Sequence, residues 1–209
     1  MKQFLKSALT SDGRIWSGPA RGLRLSGPES ARVYLGLYEI ELNRWIRRLV
    51  RPGDRCFDVG AQYGLDALMF ARESGAAVIT VEGDPALRPI IEQNCARNGL
   101  DTKIAVEVAW IGDGRSGTLT LDALAELHFW PDFVKLDIEG HEAAALRGSP
   151  GTLARCRAWL IETHGLATEN ECLPLLCEAG YRIEIVNPRS WLPDRRVISH
   201  NRWLIAVRP

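Results

Sequence analysis

The chain has 209 residues, which is long enough for one domain with a full hydrophobic core. Its 26 lysines and arginines balance its 26 aspartates and glutamates, so no net positive field exists to attract nucleic acid or an anionic membrane. Five cysteines without a CxxC pair or metal-type spacing indicate reduced thiols in a cytoplasmic protein. No run approaches the roughly 20 apolar residues that span a bilayer, and no signal peptide is evident. We therefore expect one cytoplasmic domain over residues 1–209 that binds neither nucleic acid nor membranes.

The N-terminal part of the chain divides near residue 30. Six glycines and prolines between residues 13 and 28 allow at most two short strands, so residues 1–30 are expected to form an extension, either a lid or an edge of the fold. From Ser30 to Val50 apolar residues recur at helical intervals, with arginines between them. Pro52 and Gly53 end this predicted helix. The core of the domain is predicted to span residues 31–209.

Strands and helices then alternate along the chain. Apolar runs predict a strand that begins at Cys56 and further strands at 78–81, 104–108, 133–138, 158–161, 182–186 and 203–207. Asp84 and Pro85 predict a helix start, because Asp caps free amides and Pro is favoured in the first turn. The pattern predicts an α/β fold: a Rossmann-like, doubly wound, mostly parallel seven-stranded sheet with helices on both faces. No convincing helix joins the last two strands, which predicts an antiparallel hairpin at the C-terminal edge.

The first strand ends in a glycine-rich turn of the form DxGxxxG over residues 58–64. Glycine lets a ligand approach the backbone, because any Cβ would block it. The dinucleotide fingerprint is GxGxxG, whereas the acid that precedes the first glycine, Asp58, repels a phosphate and suits a cationic amino group. The alternative interpretation is a tight strand-to-helix turn with a buried acid. The candidate ligand contacts in this turn are Asp58, Gly60, Ala61, Gln62, Tyr63 and Gly64.

Two further strand ends carry residues suited to a nucleoside. Glu82 follows Asp58 by 24 residues, close to the roughly 20-residue offset of an acid that binds a ribose. Asp84 is the better helix cap, which leaves Glu82, with Gly83 beside it, for the ribose. Ala109 and Trp110, at the end of the third strand, are placed to border an adenine ring. An edge-packing role for Trp110 fits the pattern equally well.

A dense group of charged residues follows the fourth strand. Period-two alternation puts Lys135, Asp137 and Glu139 on one side of the chain. Charges beside a buried strand are costly unless they are paired or used, so Lys135 is expected to pair with a nearby carboxylate. His164 follows the fifth strand and should face the same crevice, at the sheet edge where open α/β folds bind ligands. The candidate catalytic residues are Asp137, His141 and His164.

With these residues the chain resembles the FkbM-like family of S-adenosylmethionine-dependent, class I methyltransferases. The matching segments lie between residues 34 and 165: Tyr34 to Glu39, FDVGAQYG at 57–64, VEGDP at 81–85, TLDAL at 120–124, and FVKLDIEGHE at 133–142 followed by Ala145 to Gly148. The resemblance implies that Asp58 and residues 60–64 hold the methionine part of S-adenosyl-L-methionine, Glu82 the ribose, and Ala109 with Trp110 the adenine. Family members usually carry Asn in place of Gln62, which leaves a longer side chain near the methionine end. The implied reaction is O-methylation of a hydroxyl on a small molecule, a sugar or a secondary metabolite.

An alcohol must lose a proton during methyl transfer, and three routes follow from the sequence. His164 or His141 could act as general base, with His164 slightly favoured, or a divalent cation held by Asp137 and Glu162 could lower the pKa of the alcohol. No dedicated metal site is predicted, because hard cations usually have more oxygen ligands.

Two functions of other classes stay open on the sequence alone. The first is a nicotinamide-dependent oxidoreductase on the same kind of sheet, against which the missing GxGxxG argues. The second is a non-catalytic cofactor-binding module that acts through a partner protein. In that case Trp16, Trp191 and Leu192 would be interface anchors.

Overall fold

The computed structural model describes residues 12–27, 30–189 and 201–209, and it contains one seven-stranded sheet. The strand order is β3-β2-β1-β4-β5-β7-β6, with β1 to β5 parallel and β7 antiparallel to both of its neighbours. The predicted fold class, including the antiparallel edge, is therefore confirmed. The strands are β1 (Cys56–Val59), β2 (Val78–Glu82), β3 (Ile104–Val108), β4 (Phe133–Leu136), β5 (Ala158–His164), β6 (Arg182–Val186) and β7 (Asn201–Val207).

Helices cover both faces of this sheet. A short 3₁₀ helix, Ile40–Leu42, lies between the first two α-helices. The α-helices of the described ranges are α1 (Ala31–Tyr34), α2 (Asn43–Leu49), α3 (Leu65–Ser74), α4 (Arg88–Arg97), α5 (Leu121–Leu127), α6 (Glu142–Arg147), α7 (Pro150–Arg155) and α8 (Leu166–Glu178). None of them is long and apolar enough to cross a lipid bilayer.

Strand alternation divides the core into one apolar cluster on each face of the sheet. Cys56, Phe133 and Leu160 belong to one cluster, whereas Phe57 and Val134 belong to the other. Because neighbouring side chains point to opposite faces, Asp58, Lys135 and Glu162 point to the same face as the first cluster. The described N-terminal segment covers that face as well, and its residues Ile15, Leu23 and Leu25 belong to the first cluster.

The N-terminal segment is tied to α4 by side-chain hydrogen bonds. The Asn94 carboxamide accepts a bond from the Ser26 amide (2.8 Å) and donates one to the Ser26 carbonyl (3.0 Å). The Asn98 carboxamide bonds the backbone of Arg24 in the same two ways. Residues 12–27 therefore contribute to the core, and one antiparallel bridge between Arg14 and Arg24 is the strand-like pairing that they show.

The helix predicted from Ser30 to Val50 is wrong, since the segment is broken into three short pieces. Gly36 has a φ of 67°, and a Cβ on it would lie 2.3 Å from the Ser17 carbonyl oxygen. Glu39 also has a left-handed backbone, with a φ of 43°. Both residues interrupt the helical hydrogen bonding that the apolar periodicity predicts. The break turns the chain so that Glu39 reaches the carboxyl edge of the sheet.

Three other predicted boundaries need correction. Asp84 was predicted to cap a helix, but its Oδ1 accepts a bond from the Ala86 amide within a turn, and α4 begins only at Arg88. The predicted strand 133–138 ends at Leu136, because the backbone turns at Glu139 with a φ of 55°. The predicted strand 158–161 continues to His164, paired along its length with β7. Trp191 and Leu192 lie outside the described residues.

Candidate functional site

A cavity of about 470 Å³ opens at the carboxyl ends of β1 to β4, where the predicted site residues converge. This volume lies within the range of small-molecule binding sites. Its lining includes Gly60, Gln62, Glu82, Gly83, Ala109, Trp110, Asp137, Ile138, Glu139 and His141. Residues separated by up to about eighty positions in the chain thus meet at one edge of the sheet, as expected for a parallel α/β fold.

Glu82 is oriented by backbone amides at the end of β2. Its Oε2 accepts a hydrogen bond from the Gln62 amide (2.8 Å), and its Oε1 accepts one from the Asp84 amide (2.9 Å). Each carboxylate oxygen keeps a second lone pair, so two further hydrogen bonds can be accepted. The side chain is therefore fixed in place and able to accept bonds from two neighbouring hydroxyls.

Trp110 forms a wall of the same cavity. Its indole lies over Gly83, where a Cβ would come within 2.8 Å of the ring. The residue is 67% exposed, which is unusual for such a large apolar side chain. The Ala109 amide bonds the Glu82 carbonyl, so the ends of β2 and β3 are held together next to this wall. A flat ring exposed beside a cavity can stack on a planar ligand.

Gly60 is required by a backbone contact. It has a φ of 91°, and a Cβ there would lie 1.7 Å from the Asp137 carbonyl oxygen. The glycine-rich pattern predicts that a ligand approaches the backbone here, whereas the structure shows that the end of β4 approaches it. Because Gly60 also lines the cavity, both requirements apply to one residue.

Asp58 lies beneath the glycine-rich turn. Its Oδ2 accepts hydrogen bonds from the Ala67 amide and the Thr80 hydroxyl, each 3.1 Å long. Burial, with the nearby Asp66 carboxylate, raises the pKa of Asp58 to about 7. The residue is fully buried and does not line the cavities at this edge, so its carboxylate supports the turn from below. Its contact with a cationic amino group stays a prediction.

A second cavity, of about 190 Å³, adjoins the first. The two share Gly60, Gln62 and Asp137 as lining residues. The predicted residues Ala61 and Tyr63 line this smaller cavity, together with Tyr38, Glu39, Asp66 and Lys135. Polar groups of both signs therefore surround the smaller cavity.

Lys135 is the cation of this smaller cavity. Its Nζ lies 3.1 Å from Asp66 Oδ2 and 3.0 Å from Asp137 Oδ2. Burial by itself lowers the pKa of Lys135, but the carboxylates of Asp137 and Asp66 outweigh that effect and raise the pKa well above its ordinary value. The predicted pairing of Lys135 with a neighbouring carboxylate is thus present twice.

Glu39 is a site residue that the sequence analysis did not single out. It is 8% exposed and lines the smaller cavity. Burial first, and then the charge of Glu162, raise the pKa of Glu39 well above its ordinary value. The signal in the sequence was its position at the end of the Tyr34 to Glu39 segment, which contributed to the family resemblance.

His164, at the end of β5, is held by a buried carboxylate. Its Nδ1 lies 2.9 Å from Glu142 Oε1, which also accepts bonds from the Ile138 and Gly140 amides. Its Nε2 lies 3.5 Å from Asp137 Oδ1. Burial lowers the pKa of His164, but the hydrogen bond to Glu142 and the charge of Asp137 raise it to about 9. His164 and Asp137 are therefore brought together as predicted.

Glu162 lies beside this pair and is held by β7. Its Oε1 accepts a bond from Asn201 Nδ2 (2.6 Å) and its Oε2 one from Trp203 Nε1 (3.0 Å). Potential ligand atoms of Asp137, Glu162 and His164 all lie within 4.8 Å of one another, a spacing that a cation could bridge. The third catalytic candidate, His141, is separate: it is exposed at the start of α6 and lines the larger cavity.

Comparison with known proteins agrees with this geometry. The model of the methyltransferase FkbM domain matches residues 115–183, which include β4, β5 and the cluster of Asp137, Glu142 and His164. The resemblance to the FkbM methyltransferases is confirmed. The matched segment covers about a third of the chain and includes β4 and β5, next to which the catalytic candidates lie.

Individual proteins are similar to this chain at low sequence identity. A ribosomal protein L11 methyltransferase from Symbiobacterium thermophilum is 26% identical over 85 residues, which are 40% of this chain and 28% of that protein. An S-adenosylmethionine-dependent O-methyltransferase from Thermotoga maritima superimposes with a TM-score of 0.58 at 19% identity, covering 81% of this chain and 65% of that one. A putative tRNA (m1A22) methyltransferase from Streptococcus pneumoniae, in complex with S-adenosyl-L-methionine, gives 0.58 at 17% identity, covering 79% and 71%.

Proposed function

We propose that the chain is an S-adenosylmethionine-dependent methyltransferase that acts on a hydroxyl of a small molecule, a sugar or a secondary metabolite. The observation that carries the proposal is the pair of joined cavities at the carboxyl edge of the sheet. The larger has an oriented carboxylate, Glu82, and an exposed indole, Trp110, and the smaller has charged groups of both signs. A nucleoside with a charged amino acid attached to it fits this pair, with the nucleoside in the larger cavity and the amino acid in the smaller.

In this arrangement the residues of the larger cavity hold the adenosine. Glu82 accepts hydrogen bonds from the ribose hydroxyls, while Trp110 and Ala109 border the adenine. Gly60 and Gln62, which line both cavities, border the methionine part, with Ala61 and Tyr63 on the side of the smaller cavity. The predicted contact Gly64 lines neither cavity and packs against Ile91. S-adenosylmethionine supplies a methyl carbon bonded to a sulfonium. The protein mainly has to align an acceptor oxygen with that carbon, and alignment can contribute about 7–11 kcal/mol of barrier reduction.

His164 is the proposed general base. Its Nε2 lies 3.5 Å from Asp137 Oδ1, a residue that lines both cavities, while Glu142 fixes the ring through Nδ1. With a pKa of about 9 the imidazole carries a proton at neutral pH and becomes a base as the pH rises. The rate of methyl transfer should therefore increase between pH 7 and 9. Replacing His164 with Gln should lower the rate about 10²–10⁴-fold, which is the usual contribution of a general base.

The cation route suits the site less well than the histidine. Asp137 already bonds the Lys135 ammonium, and both oxygens of Glu162 accept bonds from β7. A divalent cation would have to compete with these donors and with the proton on His164. We therefore expect methyl transfer to persist in EDTA, and loss of turnover that added Mg²⁺ restores would favour the cation.

A macromolecular acceptor is the second candidate, because proteins of similar fold are named for tRNA and rRNA, and the curated relative for a ribosomal protein. The charge of the site argues against RNA. Asp137 and Glu139 line the larger cavity, and Glu39 and Asp66 line the smaller. These carboxylates would repel a phosphate backbone. The carboxylates that line the two cavities therefore favour a neutral or cationic acceptor.

The test of the proposed function is calorimetric titration with S-adenosylhomocysteine. We expect micromolar binding by the wild-type protein and at least tenfold weaker binding by Glu82→Ala, since two charge-assisted hydrogen bonds are lost. Glu126→Ala, which removes an exposed carboxylate from α5, should bind like the wild type. Transfer of a labelled methyl group to hydroxylated acceptors then tests the reaction.

The same titration separates the rival functions. Binding of NAD without binding of S-adenosylhomocysteine would indicate the oxidoreductase. Tight binding of S-adenosylhomocysteine, with no methyl transfer to any fraction of a cell extract, would indicate the non-catalytic module.

A further inference from the structure

We infer that Glu39 binds the protonated α-amino group of the cofactor's methionine part in the smaller cavity. The inference rests on the proposed function and assigns to Glu39 the contact that the sequence analysis expected of Asp58. It adds a cofactor contact from the segment between α1 and the 3₁₀ helix, outside the glycine-rich turn and the strand ends.

Glu39 is a buried carboxylate without a hydrogen-bond partner among the described residues. Its side chain makes no hydrogen bond or ion pair in the part of the chain that the structure describes, although the residue is only 8% exposed. A buried charge without a partner is costly, so such groups are normally paired. Since Glu39 lines the smaller cavity, a ligand in that cavity can be its partner.

The other carboxylates of the cavity are already engaged. Asp66 and Asp137 both bond the Lys135 ammonium, at 3.1 Å and 3.0 Å. Among the described residues the cavity has three carboxyl groups and one ammonium, and Glu39 is the carboxyl group that the ammonium does not bond. The raised pKa of Glu39 favours its protonated form, and a cationic ligand beside it would favour the ionised carboxylate. A cationic group is attracted to that position, and a carboxylate or phosphate is repelled.

The backbone at Glu39 is held in an uncommon conformation. Its φ of 43° and ψ of 41° lie in the left-handed region, which residues other than glycine rarely adopt. The Leu42 amide bonds its carbonyl at 2.8 Å, and Gly36 packs against Ser17 just before it. Such strain persists where the surrounding structure enforces it, often at a ligand site.

The position of the two cavities explains why the ligand group is an amine of the cofactor. They meet at Gly60, Gln62 and Asp137, with Glu82 on the wall of one cavity and Glu39 on the wall of the other. A nucleoside anchored at Glu82 extends its 5′ substituent past Gly60 into the smaller cavity. In S-adenosylmethionine that substituent ends in an ammonium and a carboxylate.

The test compares ligands that differ only in the amino acid part. S-adenosylhomocysteine and its decarboxylated analogue carry the amine, whereas the deaminated analogue and 5′-methylthioadenosine lack it. Glu39→Gln should bind the first two about 10–100-fold more weakly than the wild type, because a charge-assisted hydrogen bond is lost. It should bind the last two within about twofold of the wild type. Glu39→Asp, which keeps the charge on a shorter side chain, should give a smaller loss.

Glu178→Gln provides the matched control, since it removes an exposed carboxylate from the end of α8. It should leave all four affinities unchanged. Equal affinities of wild type and Glu39→Gln for S-adenosylhomocysteine would overturn the inference while leaving the proposed function intact. Equal weakening of all four ligands would also overturn it, because Glu39 would then only shape the cavity. Failure of the wild type to bind any of the four would instead reject the proposed function.

Discussion

Gly60 lies where the turn after β1 contacts the end of β4. A side chain at this position would meet both backbone strain and steric overlap. Gly60→Ala combines a φ of 91° with a Cβ 1.7 Å from the Asp137 carbonyl oxygen. We expect the free energy of unfolding to fall by more than about 3 kcal/mol, because β1 and β4 must separate. Denaturant unfolding monitored by tryptophan fluorescence measures the change.

Gly53→Ala is the matched control for that substitution. Gly53 has a φ of 89°, but nothing lies within 4 Å of the position of its Cβ. Only the backbone strain of about 1–2 kcal/mol should therefore appear. Equal losses for the two variants would show that contact with Asp137 is unimportant.

The pKa of His164 is predicted to depend on Glu142. The hydrogen bond of 2.9 Å from Nδ1 to Glu142 Oε1 is the first cause that raises this pKa to about 9. In Glu142→Gln we expect the pKa to fall from about 9 towards the ordinary value of about 6.5, as measured by NMR titration of the imidazole protons. Glu139→Gln should change it little, because that carboxylate is 78% exposed and 3.9 Å from Nε2.

The same interaction makes stability depend on pH in a defined direction. The pKa of His164 is raised in the folded state, so the protonated ring stabilises the fold fully below about pH 6.5. That contribution is lost as the pH rises through about 9. The difference in unfolding free energy between wild type and Glu142→Gln should therefore shrink between pH 6 and pH 9.5. A constant difference would contradict the role of Glu142.

At the residue scale the sequence predicted side chains at this edge of the sheet from their positions after strands. Glu82, placed by its offset from the glycine-rich turn, and Trp110, placed at the end of the third strand, both line the larger cavity. The sequence did not predict Glu39 as a site residue, because it reaches the site only through a break in the helical pattern before β1. Periodicity reports which face of a helix is apolar, and it carries no information about a tertiary contact such as that of Gly36 with Ser17.

Among the elements, β7 has a role in the site as well as in the sheet. Trp203 Nε1 donates to Glu162 Oε2, and the indole is fully buried. In Trp203→Phe the carboxylate loses this donor while most of the ring volume is kept. We expect a loss of about 1.5–3 kcal/mol in unfolding free energy, measured by urea denaturation, since the bond is to a charged group.

Trp110→Phe is the control for Trp203→Phe, because it makes the same substitution at an exposed ring. Its unfolding free energy should stay within about 0.5 kcal/mol of the wild type. Unchanged stability in Trp203→Phe as well would mean that the Trp203 bond is not needed to hold Glu162.

Element boundaries were the part of the fold that the sequence described least well. All seven strands and the antiparallel pairing of the last two were expected, because apolar runs separated by helices leave few possible topologies. The ends of β4 and β5 were misplaced by two or three residues, because they depend on pairing with neighbours: β5 continues to His164 opposite Asn201 of β7. The position of Asp84 in a turn was likewise decided by local hydrogen bonding to Ala86.

For the whole molecule, the balance of 26 positive and 26 negative side chains predicts weak attraction to RNA. We expect no binding of unmodified tRNA tighter than about 100 µM at 150 mM salt, the weak end of non-specific association. Fluorescence anisotropy with labelled tRNA measures this, and bovine serum albumin serves as a protein control. Micromolar affinity that falls steeply with added salt would contradict the small-molecule acceptor and favour RNA.

The order of the strands in the sheet limits when each strand can pair with its neighbour during synthesis on the ribosome. β6 is synthesised before β7, yet its neighbour in the sheet is β7, which also covers the open edge of β5. Until β7 emerges, β6 has no strand to join, and an edge of β5 that ends in His164 stays open to other chains. Glu162 and His164 can then reach their final surroundings only after every other strand has been made. Nascent chains should therefore fold the β1–β4 half early and complete the surroundings of Glu162 and His164 last.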